Sequence, residues 1–264
     1  MSAKPTGAEA TGRLLVARAL EVEFDGFRAL DRVDFAVDAG QLVGIAGTNG
    51  AGKSTLFGAL AGQVGLSGGS VRFAARDISR EPPHRRARAG LARTFQVPRE
   101  FSRLSVLENL LAAAPNPRHE TLFAAWLGRA AAARYDAQLA ARADELLELT
   151  RLTRVRDEPA ASLSGGQKKL LELARALMGS PRCILLDEPF AGVNPVLVEQ
   201  LIEVLRAIRK RGIAMVVIEH HLQALRVLVD RLIVMDQGRV IAQGEPAGVL
   251  DDPRVAEAYM GGVI

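Results

Sequence analysis

Cysteine is nearly absent from this 264-residue chain: Cys183 stands alone, so no internal disulfide can form and a reducing compartment suits it. Aromatic residues make up only 5%, and nowhere do they interleave with basic residues in the stacking pattern that single-stranded nucleic acid requires, so no nucleic-acid partner is expected. No apolar stretch approaches the ~18–20 residues that span a bilayer, which assigns any membrane role to a separate subunit. Residues 1–13 lack the apolar segment of a secretion signal and are expected to form a flexible tail. No segment repeats. What is present is an ordinary globular composition, 48% hydrophobic and 24% charged, enough for a full core. The net charge of +4 and a pI of about 9.6 suit acidic partners such as nucleotides or anionic membrane surfaces.

The hydrophobic pattern changes along the chain. Residues 33–38 alternate apolar and polar side chains, as in a half-solvated strand, whereas 41–46 are nearly all apolar, as in a buried parallel strand. Helical spacing resumes at 56–61, and 71–73 return to alternation. From 106 to 152 the chain is rich in Ala, Leu, Arg and Glu and reads as successive helices, broken at Pro115 and Pro117. Beyond Ser164 the spacing predicts helices over 170–178 and 196–210 and strands over 183–186, 213–218 and 232–235, with Gln237-Gly238 turning a hairpin into 240–242. The expected layout is an α/β core, a mixed sheet flanked by helices, interrupted by a helical insert.

Three elements carry chemistry. Gly47-Thr48-Asn49-Gly50-Ala51-Gly52-Lys53-Ser54 lies between a buried strand and a helix. Its glycines let the backbone curl with amide groups inward to cradle phosphates; Lys53 offers a compact positive charge and the Ser54 hydroxyl suits Mg²⁺. The helix that follows aims its positive end at the same anion. Cys183-Ile184-Leu185-Leu186-Asp187-Glu188 is a buried strand ending in two carboxylates, placing Asp187 near a metal and Glu188 where it can polarise a water as general base. In Leu163-Ser164-Gly165-Gly166-Gln167, Ser164 can cap a helix whose first amides the two glycines expose. The basic run Arg85-Arg86-Ala87-Arg88 reads as a solvated face suited to anionic lipid headgroups or a membrane partner.

From position 14 onward the chain resembles the ATP-binding subunits of ABC transporters. The resemblance implies a P-loop NTPase core with an antiparallel β subdomain, a helical signature subdomain over about 98–178 and a C-terminal segment over about 244–264. It implies ATP and Mg²⁺ as cofactors, held by Asn49, Gly50, Ala51, Gly52, Lys53, Ser54 and Thr55, with Ser54, Gln96 and Asp187 toward the metal. Glu188, His220 and Gln96 match the residues of hydrolysis. Leu163-Ser164-Gly165-Gly166-Gln167 matches the signature segment, which in the family faces the ATP of the opposite protomer, so that two chains sandwich two nucleotides. Ala191-Gly192-Val193-Asn194 occupies the D-loop position, and Phe24 or its near neighbour Phe27 resembles the aromatic that stacks on adenine.

Finer features are similar to the larger ATPase of branched-chain amino acid importers and their urea or short-amide relatives: Gly90-Leu91-Ala92-Arg93-Thr94-Phe95-Gln96, Asp187-Glu188-Pro189-Phe190-Ala191-Gly192-Val193-Asn194-Pro195, the helical stretch through Trp126, and the ending Ala258-Tyr259-Met260-Gly261. That similarity implies a second ATP-binding subunit, two transmembrane permeases, a periplasmic or extracellular solute-binding protein, and a peripheral location on the cytoplasmic face of the plasma membrane. Two positions depart from the pattern: His221 follows His220 where Asp is usual, and Thr48 replaces a usual proline. The competing expectations are a soluble ABC-type ATPase acting on nucleic acid, ribosomes or protein assembly, and a lipopolysaccharide-export ATPase, which shares the run Pro189-Phe190-Ala191-Gly192-Val193.

Overall fold

The computed structural model describes residues 13–94, 99–115 and 129–261. The chain divides into two compact units: Met1–Arg93 with Arg182–Ala191 and Ile208–Ile264, and Thr94–Pro181 with Gly192–Ala207. Arg13, expected at the end of a tail, already pairs with Asp38 in the first strand. Gln96 and Trp126 lie outside the described residues.

The first unit contains two sheets. β1 (Arg13–Phe24), β2 (Phe27–Asp38), β4 (Gly68–Phe73) and β5 (Arg76–Asp77) form an antiparallel sheet in the order β2-β1-β4-β5. The alternation read at 33–38 holds: Val33, Phe35 and Val37 are buried while Asp34 faces solvent. The second sheet runs β10-β9-β3-β8-β7-β6, built from β3 (Leu42–Gly47), β6 (Leu91–Arg93), β7 (Cys183–Asp187), β8 (Ala214–Ile218), β9 (Arg231–Asp236) and β10 (Arg239–Gly244). Its strands are parallel except β10, which returns antiparallel through Gln237-Gly238, both at positive φ. Every residue of β3, β7 and β8 is buried, which explains their unbroken apolar runs: strands covered on both faces have no solvent side to mark. The carboxyl ends of these three parallel neighbours lie side by side at one edge of the sheet, the usual location of a ligand in an open parallel sheet.

Helix α1 (Lys53–Ala61) buries Leu56, Phe57, Ala59 and Leu60. Its far end overturns one expectation. Arg86, on the short helix α2 (Pro83–Arg88), is only 2% exposed. It donates from Nη1 to the carbonyls of Ala59 (2.8 Å) and Leu60 (2.7 Å), from Nε to Glu81 O (2.8 Å) and from Nη2 to Ser79 O (3.0 Å). The basic run is therefore not a solvated face throughout. Arg85 and Arg88 are exposed, while Arg86 turns inward and satisfies carbonyls that α1 leaves without intrahelical partners. Burial lowers the Arg86 pKa, opposed by the charges of Glu81 and Asp77.

The second unit is helical: α3 (Val106–Ala113), α4 (Arg129–Leu149), α5 (Gly165–Met178) and the first turns of α6 (Pro195–Lys210). Its core is Val106, Leu110, Leu146, Leu147, Leu171, Ala174 and Leu177, all essentially inaccessible. Ser105 starts α3 with a reciprocal capping box to Glu108. Back in the first unit, α7 (Leu222–Leu228), α8 (Pro246–Leu250) and α9 (Pro253–Gly261) complete the chain. Among the described residues no helix is long and apolar enough to cross a membrane.

Candidate functional site

The loop between β3 and α1 has a conformation that only glycine permits at two points. Gly47 sits at φ +148°, and a Cβ there would lie 2.2 Å from the Met235 carbonyl oxygen. At Gly52, φ is +94° and a Cβ would come within 2.7 Å of Ala29 O. Gly52 is also the residue before the first turn of α1, so no side chain caps that helix. Lys53 is 5% exposed and folds back over the loop, its Nζ donating to the carbonyls of Gly47 and Thr48 at 2.8 Å each. Burial pushes the Lys53 pKa down, opposed by the negative charges of Glu188 and Asp187. Asn49, Gly50 and Ser54 are exposed, Thr55 is half-buried and Ala51 is buried.

The two carboxylates at the end of β7 have different surroundings. Asp187 is buried and receives a hydrogen bond from Arg93 Nη2 at 2.8 Å. Glu188 takes a left-handed backbone, φ +49°, a strained conformation for a residue with a Cβ, held by its N–H to Ile218 O at 3.0 Å. Its Oε1 lies 3.2 Å from His220 Nε2. The structure thus brings Lys53, Asp187, Glu188 and His220 together at the carboxyl ends of β3, β7 and β8.

One contributor to this arrangement escaped the sequence reading. Glu219, directly after β8 and 3% exposed, accepts from the backbone N–H of Phe190 at 2.6 Å and of His220 at 3.0 Å. It ties the chain after Glu188 to the chain carrying His220. Its signal was available: an acid closing an apolar strand and leading into two histidines. The second of these, His221, caps α7, its Nδ1 accepting from Ala224 N–H at 3.1 Å. A helix cap is also a position for Asp, so the His221 departure keeps a capping acceptor in place.

Phe24 and Phe27 flank the β1–β2 turn and are 49% and 68% exposed. Neither belongs to the core, so both remain accessible for a planar ligand.

The signature segment, in the second unit, is internally satisfied. Ser164 Oγ accepts from Gln167 N–H (3.3 Å) while Gln167 Oε1 accepts from Ser164 N–H (2.9 Å), a full capping box at the start of α5. Gly165 is exposed with open space around it; Gly166 is buried, and a Cβ there would press within 2.5 Å of Leu197 Cδ1. Asn194 in turn caps α6, accepting from Leu197 N–H at 2.9 Å.

Against known proteins, the family model described as "ABC transporter" matches residues 30–191. The chain belongs to the ABC transporter ATP-binding family. A second model, "Branched-chain amino acid ATP-binding cassette transporter", matches residues 239–263. The cassette is 38% identical over 249 residues to a probable branched-chain amino acid transport ATP-binding protein, LivG, of Archaeoglobus fulgidus, covering 94% of this chain and 96% of that one. It is 36% identical to the lipopolysaccharide export system ATP-binding protein LptB of Escherichia coli K12, covering 94% and 97%. Among solved structures, the ADP conformation of an ATP-binding cassette of an ABC transporter matches with a TM-score of 0.82 at 35% identity, covering 95% of this chain and all of that one. This cassette is therefore an ATP-binding subunit and an ATPase, with the mixed-sheet P-loop NTPase architecture seen above.

Proposed function

We propose that this cassette powers import of branched-chain amino acids or related small solutes such as urea and short amides, working from the cytoplasmic face of the plasma membrane. Its partners in this reading are two permease subunits, a second ATP-binding subunit and a solute-binding protein. The observation that carries the solute class is the C-terminal match over 239–263, alongside the relative named for branched-chain amino acid transport. The ATPase reading rests on Lys53, Asp187, Glu188 and His220 standing together at the carboxyl ends of β3, β7 and β8.

The residues fit a metal-bound nucleotide. The loop from Gly47 to Thr55 offers backbone amides at an uncapped helix start, and a Cβ at Gly47 or Gly52 would collide with Met235 O or Ala29 O and force the loop out of this conformation. Lys53 meets the outer phosphates by exchanging its bonds to the Gly47 and Thr48 carbonyls for charge-assisted ones. The Ser54 hydroxyl and the Asp187 carboxylate would hold Mg²⁺ through oxygen, the kind of donor a hard cation prefers, with Gln96, which lies outside the described residues, as the further ligand the family resemblance implies. When bound, Mg²⁺ supplies charge neutralisation on the phosphates. Glu188 takes the proton of the attacking water as general base, and His220, within hydrogen-bond reach of Glu188, positions that carboxylate and senses the γ-phosphate. Ser164, Gly165, Gly166 and Gln167 complete the partner protomer's nucleotide, and Phe24 or Phe27 stacks on adenine.

The test joins trapping and recovery. Glu188→Gln is expected to hold ATP in a stable dimer on gel filtration, and normal turnover by that variant would overturn the base assignment. Purified from membranes through a tag on this chain, the complex is expected to contain permeases and to show ATPase stimulated by a branched-chain amino acid with its binding protein. Recovery of lipopolysaccharide-export components, ribosomes or nucleic acid would overturn the import reading.

A further inference from the structure

Arg86 and Arg93 of the first unit are both withdrawn from solvent, and their surroundings differ. Arg86 places Nε, Nη1 and Nη2 on four backbone carbonyls. Arg93, the last residue of β6, places Nη2 on Asp187 Oδ2 at 2.8 Å and Nη1 on Gln63 Oε1 at 2.5 Å, while its Nε is buried without an acceptor. Its guanidinium carbon stands 5.8 Å from the Phe57 ring centroid. The Arg93 and Asp187 side chains are 15% and 10% exposed, so water screens the pair poorly. Arg86 has each of its three nitrogens bonded to backbone. Arg93 is partly spent, and among the described residues its charged contact is the Asp187 carboxylate.

A buried carboxylate needs a counter-charge, since leaving it unpaired is costly. Lys53 contributes one positive charge to this site, but its Nζ is committed to the loop carbonyls. Arg93 is a cation in direct contact with Asp187. An incoming divalent cation must draw on the same negative charge, and a guanidinium already bonded to it weakens that attraction.

We propose that Arg93 is a positioning residue that stands in for the metal at Asp187 in the nucleotide-free cassette, and that it sets how much Mg²⁺ adds to nucleotide affinity. The proposal rests on the reading of Asp187 as a residue facing Mg²⁺. Binding of metal and nucleotide loosens the Arg93–Asp187 contact, and the unsatisfied Nε gives the guanidinium no full set of bonds to hold it back. Gln63 shares the guanidinium from the solvent side and biases the same balance.

The experiment titrates the full chain with trinitrophenyl-ATP in excess Mg²⁺ and again in EDTA, and takes the dissociation constant in EDTA divided by that in Mg²⁺ as the ratio. Arg93→Gln keeps a hydrogen-bonding side chain without the charge; its ratio is expected to rise about five- to tenfold over the unmodified chain. Arg93→Lys, which keeps the charge, is expected to stay within about threefold. Gln63→Glu changes an exposed residue and draws the guanidinium away from Asp187, so it is expected to raise the ratio about two- to threefold even if Arg93→Gln fails to fold. A purely structural Arg93 would lower thermal stability on substitution and leave the ratio alone. A ratio for Arg93→Gln within twofold of the unmodified chain, or below it, would overturn the proposal, as would an unchanged ratio for Gln63→Glu. Asp187→Asn separates the two levels. If it leaves the ratio intact, the metal reading of Asp187 fails; if it collapses the ratio while Arg93→Gln does nothing, only the proposal about Arg93 fails.

Discussion

The phosphate loop and the signature segment are both short glycine-rich turns that feed a helix start, yet they solve opposite problems. At the phosphate loop, Gly47 and Gly52 take conformations closed to other residues, packed against Met235 O and Ala29 O, and α1 begins without a side-chain cap. Helix α5 begins with a complete capping box, and its first residue, Gly165, stands in open space. One turn leaves its helix start without a side-chain cap, which suits the anion of the proposed function. The other is complete within itself, and its first residue, Gly165, is exposed with open space around it, which suits the contact with a partner nucleotide in the proposed function. Glycine content alone does not separate a site that needs glycine for its own geometry from one that needs it for access.

Substitutions can break or sharpen this contrast. Gly47→Ala forces a methyl into a backbone oxygen at unfavourable φ; a loss of about 3–5 kcal/mol in denaturant unfolding is expected, with nucleotide binding lost alongside. Ser164→Ala removes half of the α5 capping box and should cost about 1 kcal/mol by the same measurement, leaving nucleotide affinity of the isolated chain unchanged. The Lys53 pKa gives a slope rather than a loss. Its folded value lies below the ordinary 10.5, so as pH rises from that lowered value toward 10.5 the folded chain loses the proton first and gains stability. Nucleotide-free protein is therefore expected to gain on Lys53→Met across that window, and a flat difference would refute the burial account. Gly165→Ala carries the smallest effect: with open space around it and good helix propensity, alanine should fall within about 0.5 kcal/mol or stabilise by up to about 1 kcal/mol. If Gly165→Ala proved as damaging as Gly47→Ala, the contrast would collapse.

How far the residues announced this structure depends on how local each feature is. The phosphate loop and the β7 carboxylates were legible because strand, turn and helix signals sit within a few residues of the groups they position. The buried strands were legible because full burial writes itself as an unbroken apolar run. Arg86 was not legible: its four acceptors come from Ala59, Leu60, Ser79 and Glu81, and nothing at positions 85–88 shows that one arginine of three would meet them. Glu219 was passed over for a related reason. Its hydrogen bonds join two loops that are distant in sequence, and only the parallel register of β7 and β8 makes them neighbours. Phe24 and Phe27 were left as alternatives, and the turn between them exposes both.

Cys183 opens β7 in the six-stranded sheet with no accessible surface, and burial raises its thiol pKa to about 12. In the folded chain that thiol is silent toward maleimides and disulfide reagents at neutral pH, because the reactive thiolate is scarce and unreachable. The chain is in effect a cysteine-free background for site-directed labelling: one cysteine introduced at Gly165 or Phe27 could carry a fluorophore or spin label without removing anything native. The same thiol doubles as an internal clock. It becomes reactive only when β7 leaves the sheet, so its rate of modification reports the opening of the strand that carries Asp187.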